Sequence, residues 1–182
     1  YLVVDDQFTC FTDARYYSMV KPLIEKVGAK AVLLKDFNTV CDYIKSRGHS
    51  TVQIDFNRTA VSQYKKIKSH YKVKDYSHRL EKMRSVKDKS ELSSIKKACE
   101  IAQSAFYFAT TQITEGMTEL ELKEILEQKM LSLGATQTSF DTIVAFGKNS
   151  AVPHHRTSST ALQKNQPVLI DMGCKVNGYC SD

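Results

Sequence analysis

The sequence predicts an α/β domain followed by an α+β domain, and three observations support this. Residues 1–76 alternate short apolar strands with amphipathic helices, which is typical of an α/β layer with a partly parallel sheet. Residues 91–134 contain two capped helical segments, and after Gly134 the hydrophobic pattern becomes that of strands. We therefore expect domains over 1–76 and 91–182, joined by a polar, basic junction over 77–90.

The first domain is predicted from strand and helix signals in turn. A hairpin is expected around Asp5-Asp6-Gln7, and Gly28 is expected to end the first helix. The predicted elements are, in order, strands at Leu2–Val4 and Phe8–Phe11, a helix over 14–27, a strand at Ala31–Leu34, a helix capped by Asn38, a strand at Thr51–Ile54 and a helix through Val61, Tyr64 and Ile67.

The two helices of the second domain carry start and stop signals. Asp88 with Glu91, and Thr118 with Glu121, have the spacing of capping boxes, and Gly134 is placed to end the second helix. Apolar residues at three-to-four spacing are expected to face the core. They are Leu92, Ile95, Cys99, Ala102, Phe106 and Ala109 in the first helix and Leu122, Ile125, Met130 and Leu133 in the second.

The last third of the sequence reads as strands. We expect a strand over 140–146, a loop over 147–153, and two strands over 167–173 and 178–182. Asn177-Gly178 between the last two is a strong signal for a two-residue hairpin turn.

Composition excludes several classes of protein. The 182 residues carry 26 Lys and Arg against 20 Asp and Glu, a net charge of +6. The basic residues are spread along helix faces, so we expect no nucleic-acid partner. No stretch is apolar enough for a membrane span or a signal peptide. The five cysteines form no CxxC pair, which is typical of small buried thiols in a reducing compartment, so we expect a cytoplasmic protein.

Asp171 and Asp182 are the candidate metal ligands. Asp171 follows an apolar run, where an ionised carboxylate is costly unless it is paired, hydrogen-bonded or metal-bound. A two-residue turn would place Asp182 opposite Gly173, on the same face as Asp171, with side chains about 7–8 Å apart or less. With the space at Gly173 left open, the two carboxylates could bracket a pair of divalent ions such as Mn²⁺, with Zn²⁺ or Co²⁺ as alternatives.

A structural interpretation of the same residues remains open. Asp171 could accept hydrogen bonds from a neighbouring loop, and Asp182 could be a solvated strand end. His154 and His155 follow Pro153 in the preceding loop, where reactive groups often lie, although a surface histidine is the commoner outcome.

Five stretches of the sequence form a recognisable set: residues 168–173 (VLIDMG), 178–182 (GYCSD), 143–154 (IVAFGKNSAVPH), 83–88 (MRSVKD) with Glu91 and Ala98, and 12–16 (TDARY). Together they resemble the Xaa-Pro aminopeptidase and prolidase family, the creatinase-like "pita-bread" metallopeptidases. The hairpin resembles their first metal-ligand hairpin, and the preceding loop resembles the one that carries their active-site histidine.

The resemblance implies a fold, an activity and a role for each residue. The fold is a creatinase-like N-terminal α/β domain followed by the first half of a pita-bread catalytic domain. Asp171 and Asp182 match two ligands of a two-metal site, and Asp182 matches the bridging one. His154 matches the histidine that contacts the substrate. The activity is metal-dependent hydrolysis of the bond between an N-terminal residue and proline, in a protein that often forms homo-oligomers such as dimers.

Several alternatives stay open at the level of the sequence. A prolidase acting on Xaa-Pro dipeptides fits equally well, and a non-catalytic relative could use the fold as a binding module. Methionine aminopeptidase normally lacks a domain like residues 1–76, and creatinase works without metal, which the paired aspartates disfavour. The family's remaining ligands, a histidine and two glutamates, lie downstream of the position of Asp182. The sequence also starts and stops within predicted strands, so we expect a piece of a longer protein that is inactive alone.

Overall fold

The computed structural model describes the backbone of residues 1–182 and every side chain except that of Leu80. The chain forms two compact units, Tyr1–Val86 and Lys87–Asp182. The division between them falls within the polar stretch 77–90 of the sequence, whose first part forms a helix.

The N-terminal unit alternates strands and helices. Its elements are β1 Leu2–Val4, β2 Phe8–Thr12, α1 Ala14–Lys26, β3 Lys30–Leu33, α2 Phe37–Ser46, β4 Thr51–Ile54, α3 Val61–Lys68, β5 Lys72–Asp75 and α4 Ser77–Ser85. Strand β2 lies between β1, which is antiparallel to it, and β3, which is parallel. Strands β4 and β5 form a second, parallel pair. The unit therefore has the predicted partly parallel α/β pattern.

A small core holds this unit together. Phe11, Val40 and Ile44 are buried in one cluster, so β2 and one face of α2 supply its centre. Thr9 is fully buried, and its hydroxyl lies 2.8 Å from that of Tyr43. This hydrogen bond satisfies a polar group that would otherwise be costly to bury.

Two predictions for the N-terminal unit were wrong. Asn38 does not cap α2, because Asp36 is the N-cap and its carboxylate accepts from the Asn38 backbone N–H at 2.7 Å. Thr39 completes the capping box by accepting from the Asp36 N–H. Strand β5 was not predicted. Its sequence has a single half-buried valine, Val73, between two exposed lysines, and this pattern resembles a solvated loop.

The C-terminal unit has two helices followed by short strands. Its elements are α5 Lys89–Thr110, α6 Glu119–Ser132, β6 Gln137–Thr138, β7 Ile143–Phe146, a 3-10 helix Gly147–Ala151, β8 Val168–Asp171, β9 Cys174–Val176 and β10 Tyr179–Cys180. Strand β9 pairs with β10 and β6, and β7 pairs with β8, all antiparallel. Both predicted capping boxes, Asp88 with Glu91 and Thr118 with Glu121, are present.

The buried face of α5 differs from the predicted one. Leu92, Cys99 and Phe106 are exposed. The fully buried face consists of Ala98, Ile101, Ala105 and Ala109. Alanines let the helix approach its neighbours closely, so burial follows the small residues rather than the large ones.

The cysteine prediction was also only partly correct. Cys174 alone is fully buried among the cysteines, and its thiol donates to the Ala98 carbonyl at 3.3 Å. Cys99 and Cys180 are exposed. Burial raises the pKa of the Cys174 thiol, which is consistent with a packing role. In the part of the chain that the structure describes, no helix is both long and apolar enough to cross a bilayer.

Candidate metal hairpin and histidine loop

The β9–β10 hairpin sets the position of Asp182. Asn177 and Gly178 both have positive φ, at 51° and 86°, as a two-residue turn of the mirror-image type requires. Tyr179 lies opposite Val176, and the Ser181 N–H donates to the Cys174 carbonyl at 2.9 Å. Continuing this register places Asp182 opposite Gly173, as the turn signal predicted.

Gly173 has a different role from the one expected. A Cβ at this position would lie 2.3 Å from the Ser181 carbonyl oxygen and 3.1 Å from the Ser139 hydroxyl. The missing side chain therefore makes room for the opposite backbone, and it does not leave an open space between the aspartates. Only glycine allows β10 to approach this closely.

Asp171 ends β8, where it pairs with Ile143 of β7. Its side chain is exposed, so the expected burial of this carboxylate was wrong for residues 1–182. Asp171 ends β8 and Cys174 begins β9, which are strands of two different sheets, with Met172 and Gly173 between them. Asp182 therefore lies opposite a residue that is two positions from Asp171 in the chain.

Two carboxylates alone make an incomplete site. Among the described side chains there is no group of three or more His, Cys, Asp or Glu residues arranged to hold a metal. Carboxylate oxygens are suitable donors for hard divalent ions, so the pair fits such ions chemically. Asp182 also borders a depression beside α5, with Phe106 and Met172, which Asp171 does not line.

His154 occupies a strained backbone position. The His155 N–H donates to the Val152 carbonyl at 3.2 Å, which closes a β-turn with Pro153 and His154 at its centre. Proline followed by a residue with φ of 54° has the pattern of a type II turn, in which the latter position favours glycine. The His154 side chain is exposed and has no hydrogen bond to any side chain or backbone group that the structure describes. Strain at a free histidine is typical of functional sites.

The loop that carries His154 returns to β7 beside Ile143, the residue that pairs with Asp171. The Thr157 hydroxyl accepts from the Val144 N–H at 2.9 Å and lies 3.3 Å from the Thr142 carbonyl. These two contacts flank Ile143, the residue opposite Asp171, on the edge of β7 that faces away from β8. The end of the loop is therefore about two strand spacings, roughly 10 Å, from the Asp171 strand.

Glu119 fixes this loop and was missed by the sequence analysis. Its side chain is fully buried at the start of α6. One carboxylate oxygen accepts from the Phe146 N–H at 2.9 Å and the Asn149 amide at 2.8 Å. The other accepts from the Ser158 N–H and hydroxyl, both at 2.8 Å, and lies 2.9 Å from His155 Nε2.

The environment of Glu119 keeps it ionised. Burial raises the pKa of the carboxyl, but hydrogen bonds from Asn149, His155, Phe146 and Ser158 outweigh burial and lower the pKa from 4.5 to about 2. The start of α6 adds a favourable dipole for a negative charge.

A signal for Glu119 was present in the sequence. Glu119 continues the buried stripe of Leu122, Leu126 and Met130 at three-to-four spacing. A glutamate on a core-facing stripe needs partners, so this position indicates a buried polar network.

Comparison with known proteins gives the context for this geometry. Residues 93–182 match the model of metallopeptidase family M24. The chain is 32% identical over 183 aligned residues to the Xaa-Pro dipeptidase of Pyrococcus furiosus, covering 100% of this chain and 52% of that protein. This chain belongs to metallopeptidase family M24.

Solved structures of family M24 agree with this assignment. An Xaa-Pro dipeptidase from Bacillus anthracis matches with a TM-score of 0.88 at 30% identity, over 100% of this chain and 52% of that one. An X-Pro aminopeptidase from Thermotoga maritima matches with a TM-score of 0.83 at 30% identity, over 99% and 52%. The chain therefore spans about half the length of the relatives that it matches. Membership of a metallopeptidase family implies divalent metal ions.

The Glu119 network predicts a specific loss of stability in acid. A carboxyl whose pKa is lowered on folding stabilises the folded state above its unfolded pKa, and this contribution disappears as pH falls from about 4.5 towards 2. The shift corresponds to about 3 kcal/mol. Denaturant unfolding followed by circular dichroism should show this additional decrease in the wild type.

Two variants separate this effect from general acid denaturation. Glu119→Gln should lack the additional decrease over this pH range, while the exposed Glu124→Gln on the same helix should keep it. The same pH dependence in Glu119→Gln and the wild type would show that the carboxylate is not ionised in the folded state.

Proposed function

We propose that this chain is part of a metal-dependent aminopeptidase that hydrolyses the bond between an N-terminal residue and proline. The observation that carries the proposal is the hairpin register, in which Asp182 lies opposite Gly173, two residues from Asp171, in a chain that matches the M24 model. The relatives named as X-Pro aminopeptidase and Xaa-Pro dipeptidase support the choice of substrate. The substrate is a peptide with proline in second position.

Asp171 and Asp182 act as ligands in this proposal. Two divalent ions, Mn²⁺ being our choice, would supply a hydroxide near neutral pH and polarise the scissile carbonyl. The aspartates hold their positions through the backbone, since β8 fixes Asp171 and the ladder to β9 fixes Asp182. Their two charges offset part of the positive charge of the ions and leave the remaining coordination to other residues.

His154 acts on the substrate. Its side chain is exposed and the backbone turn around it is anchored by the His155 N–H, so a ring N–H group is available to a substrate from a fixed backbone position. We assign it the role of donating a hydrogen bond to the carbonyl oxygen before proline as negative charge develops there. His155 cannot take this role with Nε2, because that atom faces the Glu119 carboxylate.

Prolidase activity is the second candidate, and a specific observation favours it. Two of the relatives described above, from Pyrococcus furiosus and Bacillus anthracis, are named Xaa-Pro dipeptidases. Comparing hydrolysis of Ala-Pro and Ala-Pro-Ala by the protein from its full reading frame separates the two. Cleavage of the dipeptide alone identifies a prolidase, and cleavage of the tripeptide identifies an aminopeptidase.

A non-catalytic binding module is the remaining alternative. Absence of hydrolysis of both peptides with Mn²⁺, Zn²⁺ or Co²⁺ would support it and would contradict the proposed function. We also propose a cytoplasmic homo-oligomer, which size-exclusion chromatography with light scattering and cell fractionation would test.

Removing the bridging aspartate should prevent binding of the metal pair. In the full-length protein we expect Asp182→Ala to bind fewer than two Mn²⁺ per chain and to lose activity, because a ligand shared by both ions is gone. Metal content is measured by mass spectrometry after dialysis. Asp141→Ala, which changes an exposed aspartate of the same unit, is the control and should bind two. Two Mn²⁺ per chain in Asp182→Ala would refute the ligand assignment.

Removing the His154 side chain should reduce turnover without loss of metal. We expect kcat to fall about 10²-fold in His154→Ala and in His154→Gly, the scale for one oxyanion donor. The glycine variant should be as stable as the wild type or more stable by up to about 1 kcal/mol, because glycine relieves the positive φ. Thermal unfolding and steady-state kinetics measure both effects.

The control for this pair is His78→Ala, which changes an exposed histidine of α4. Loss of metal from His154→Ala would make His154 a ligand. Unchanged turnover in both His154 variants would remove it from the proposed mechanism.

A further inference from the structure

Glu119 is the one fully buried charged side chain among the described residues, and the proposed reaction gives it no direct part. We propose that Glu119 is a positioning residue that acts through His154: it holds the loop so that the His154 side chain meets the substrate. This inference rests on the proposed function for the identity of the substrate. The loop geometry on which it depends stands independently.

The contacts of Glu119 bracket His154 in the sequence. Phe146 and Asn149 precede the histidine, and His155 and Ser158 follow it. All five hydrogen-bond contacts of the carboxylate go to this loop and the strand end before it. None goes to the backbone of α6, whose N-cap is supplied by Thr118 instead. The carboxylate therefore organises the loop and does not act as a helix cap.

The same loop also supplies hydrogen-bond acceptors to backbone N–H groups in the first turn of α6. The Glu119 N–H donates to the Thr160 carbonyl at 3.1 Å, and the Leu120 N–H donates to the Ser158 carbonyl at 3.2 Å. These are backbone donors that a first helical turn leaves without intrahelical partners. Helix and loop are thus joined by backbone bonds on one side and by the buried carboxylate on the other.

Only a carboxylate satisfies this arrangement. One oxygen faces the Phe146 N–H and the other faces the Ser158 N–H. A backbone N–H can only donate, so both positions require an acceptor. A glutamine in place of Glu119 would present its NH₂ group to one of these two donors whichever way the amide turned. Glu119→Gln is therefore nearly identical in shape but incompatible in hydrogen bonding.

The effect reaches His154 through its neighbour. The His155 ring is held by the carboxylate, and the His155 N–H closes the turn that keeps His154 at positive φ. When the ring of His155 is released, the turn loses one of its anchors, and a backbone strained at His154 can relax. A small displacement of a group that contacts the transition state is enough to reduce turnover about a hundredfold.

Steady-state kinetics of the full-length protein test the proposal, with Mn²⁺ and the peptides Ala-Pro and Ala-Pro-Ala. In Glu119→Gln we expect kcat to fall about ten- to a hundredfold with little change in KM and with unchanged Mn²⁺ content. The matched control is Glu121→Gln. Glu121 is exposed on the same helix and uses one oxygen to accept from Thr118, which a glutamine carbonyl can replace.

A double-variant cycle separates positioning from a general structural role. If Glu119 acts through His154, Glu119→Gln in a His154→Ala background should cause no further loss of kcat. If the two reductions in kcat multiplied in the double variant, the proposal would be overturned, because the effect of Glu119 would then be independent of His154. Unchanged kcat in the folded single variant would also overturn it.

A milder variant and a readout without activity keep the test decisive. Ser158→Ala removes one donor and leaves the carboxylate in place, so it should lower kcat in the same direction by a smaller factor if Glu119→Gln does not fold. Amide exchange at Phe146 and Ser158 and the NMR ring signals of His154 should change in Glu119→Gln and not in Glu121→Gln. If the wild type cleaves neither peptide, the proposed function fails, while unchanged His154 signals would refute the positioning role separately.

Discussion

A buried carboxylate is the constraint on which the C-terminal unit depends most. Glu119 has no exposed surface, and every donor around it belongs to the segment from the end of β7 to Ser158. Removing the carboxylate would leave the Phe146 and Ser158 backbone N–H groups without the acceptor that each has in this structure. The hydrophobic face of α6 fixes the position of the carboxylate, and the carboxylate fixes the loop. Core packing therefore determines the polar network, and the polar network in turn determines the position of an exposed histidine.

The hairpin supplies a second, independent constraint. Its turn requires two residues with positive φ, and its close approach requires the absence of a side chain at Gly173. Neither requirement concerns metal chemistry, yet together they set the register in which Asp182 lies opposite Gly173. Backbone geometry thus determines where Asp182 lies, and the loop determines where His154 lies. This chain spans about half the length of the M24 relatives that it matches, and the exposure of Asp171 is that within residues 1–182.

The fold and the site could be predicted from the sequence wherever a single local interaction determines the structure. Both capping boxes and the hairpin turn depend on residues within four positions of each other, and each was predicted correctly. The predicted N-cap of α2 was wrong because Asp36, two residues before Asn38, has a side chain of the same capping type and accepts the Asn38 backbone N–H. The predicted face of α5 was only partly correct: Ala109 is buried and Ala102 packs against the core, but Leu92, Cys99 and Phe106 are exposed. The pattern gave weight to large residues and ignored how closely alanines allow helices to pack. Glu119 was missed because its partners lie about 27 to 39 positions away.

The most direct test of the account is a crystal structure of the full-length protein grown with Mn²⁺, with anomalous scattering to locate the ions. The account predicts two anomalous peaks, with Asp171 coordinating one ion and Asp182 lying between both. His154 should lie outside the coordination sphere, with its backbone still at positive φ and Glu119 still bound to the loop on either side of it. Mn²⁺ coordinated by His154, or bound at a site that includes neither aspartate, would contradict the account.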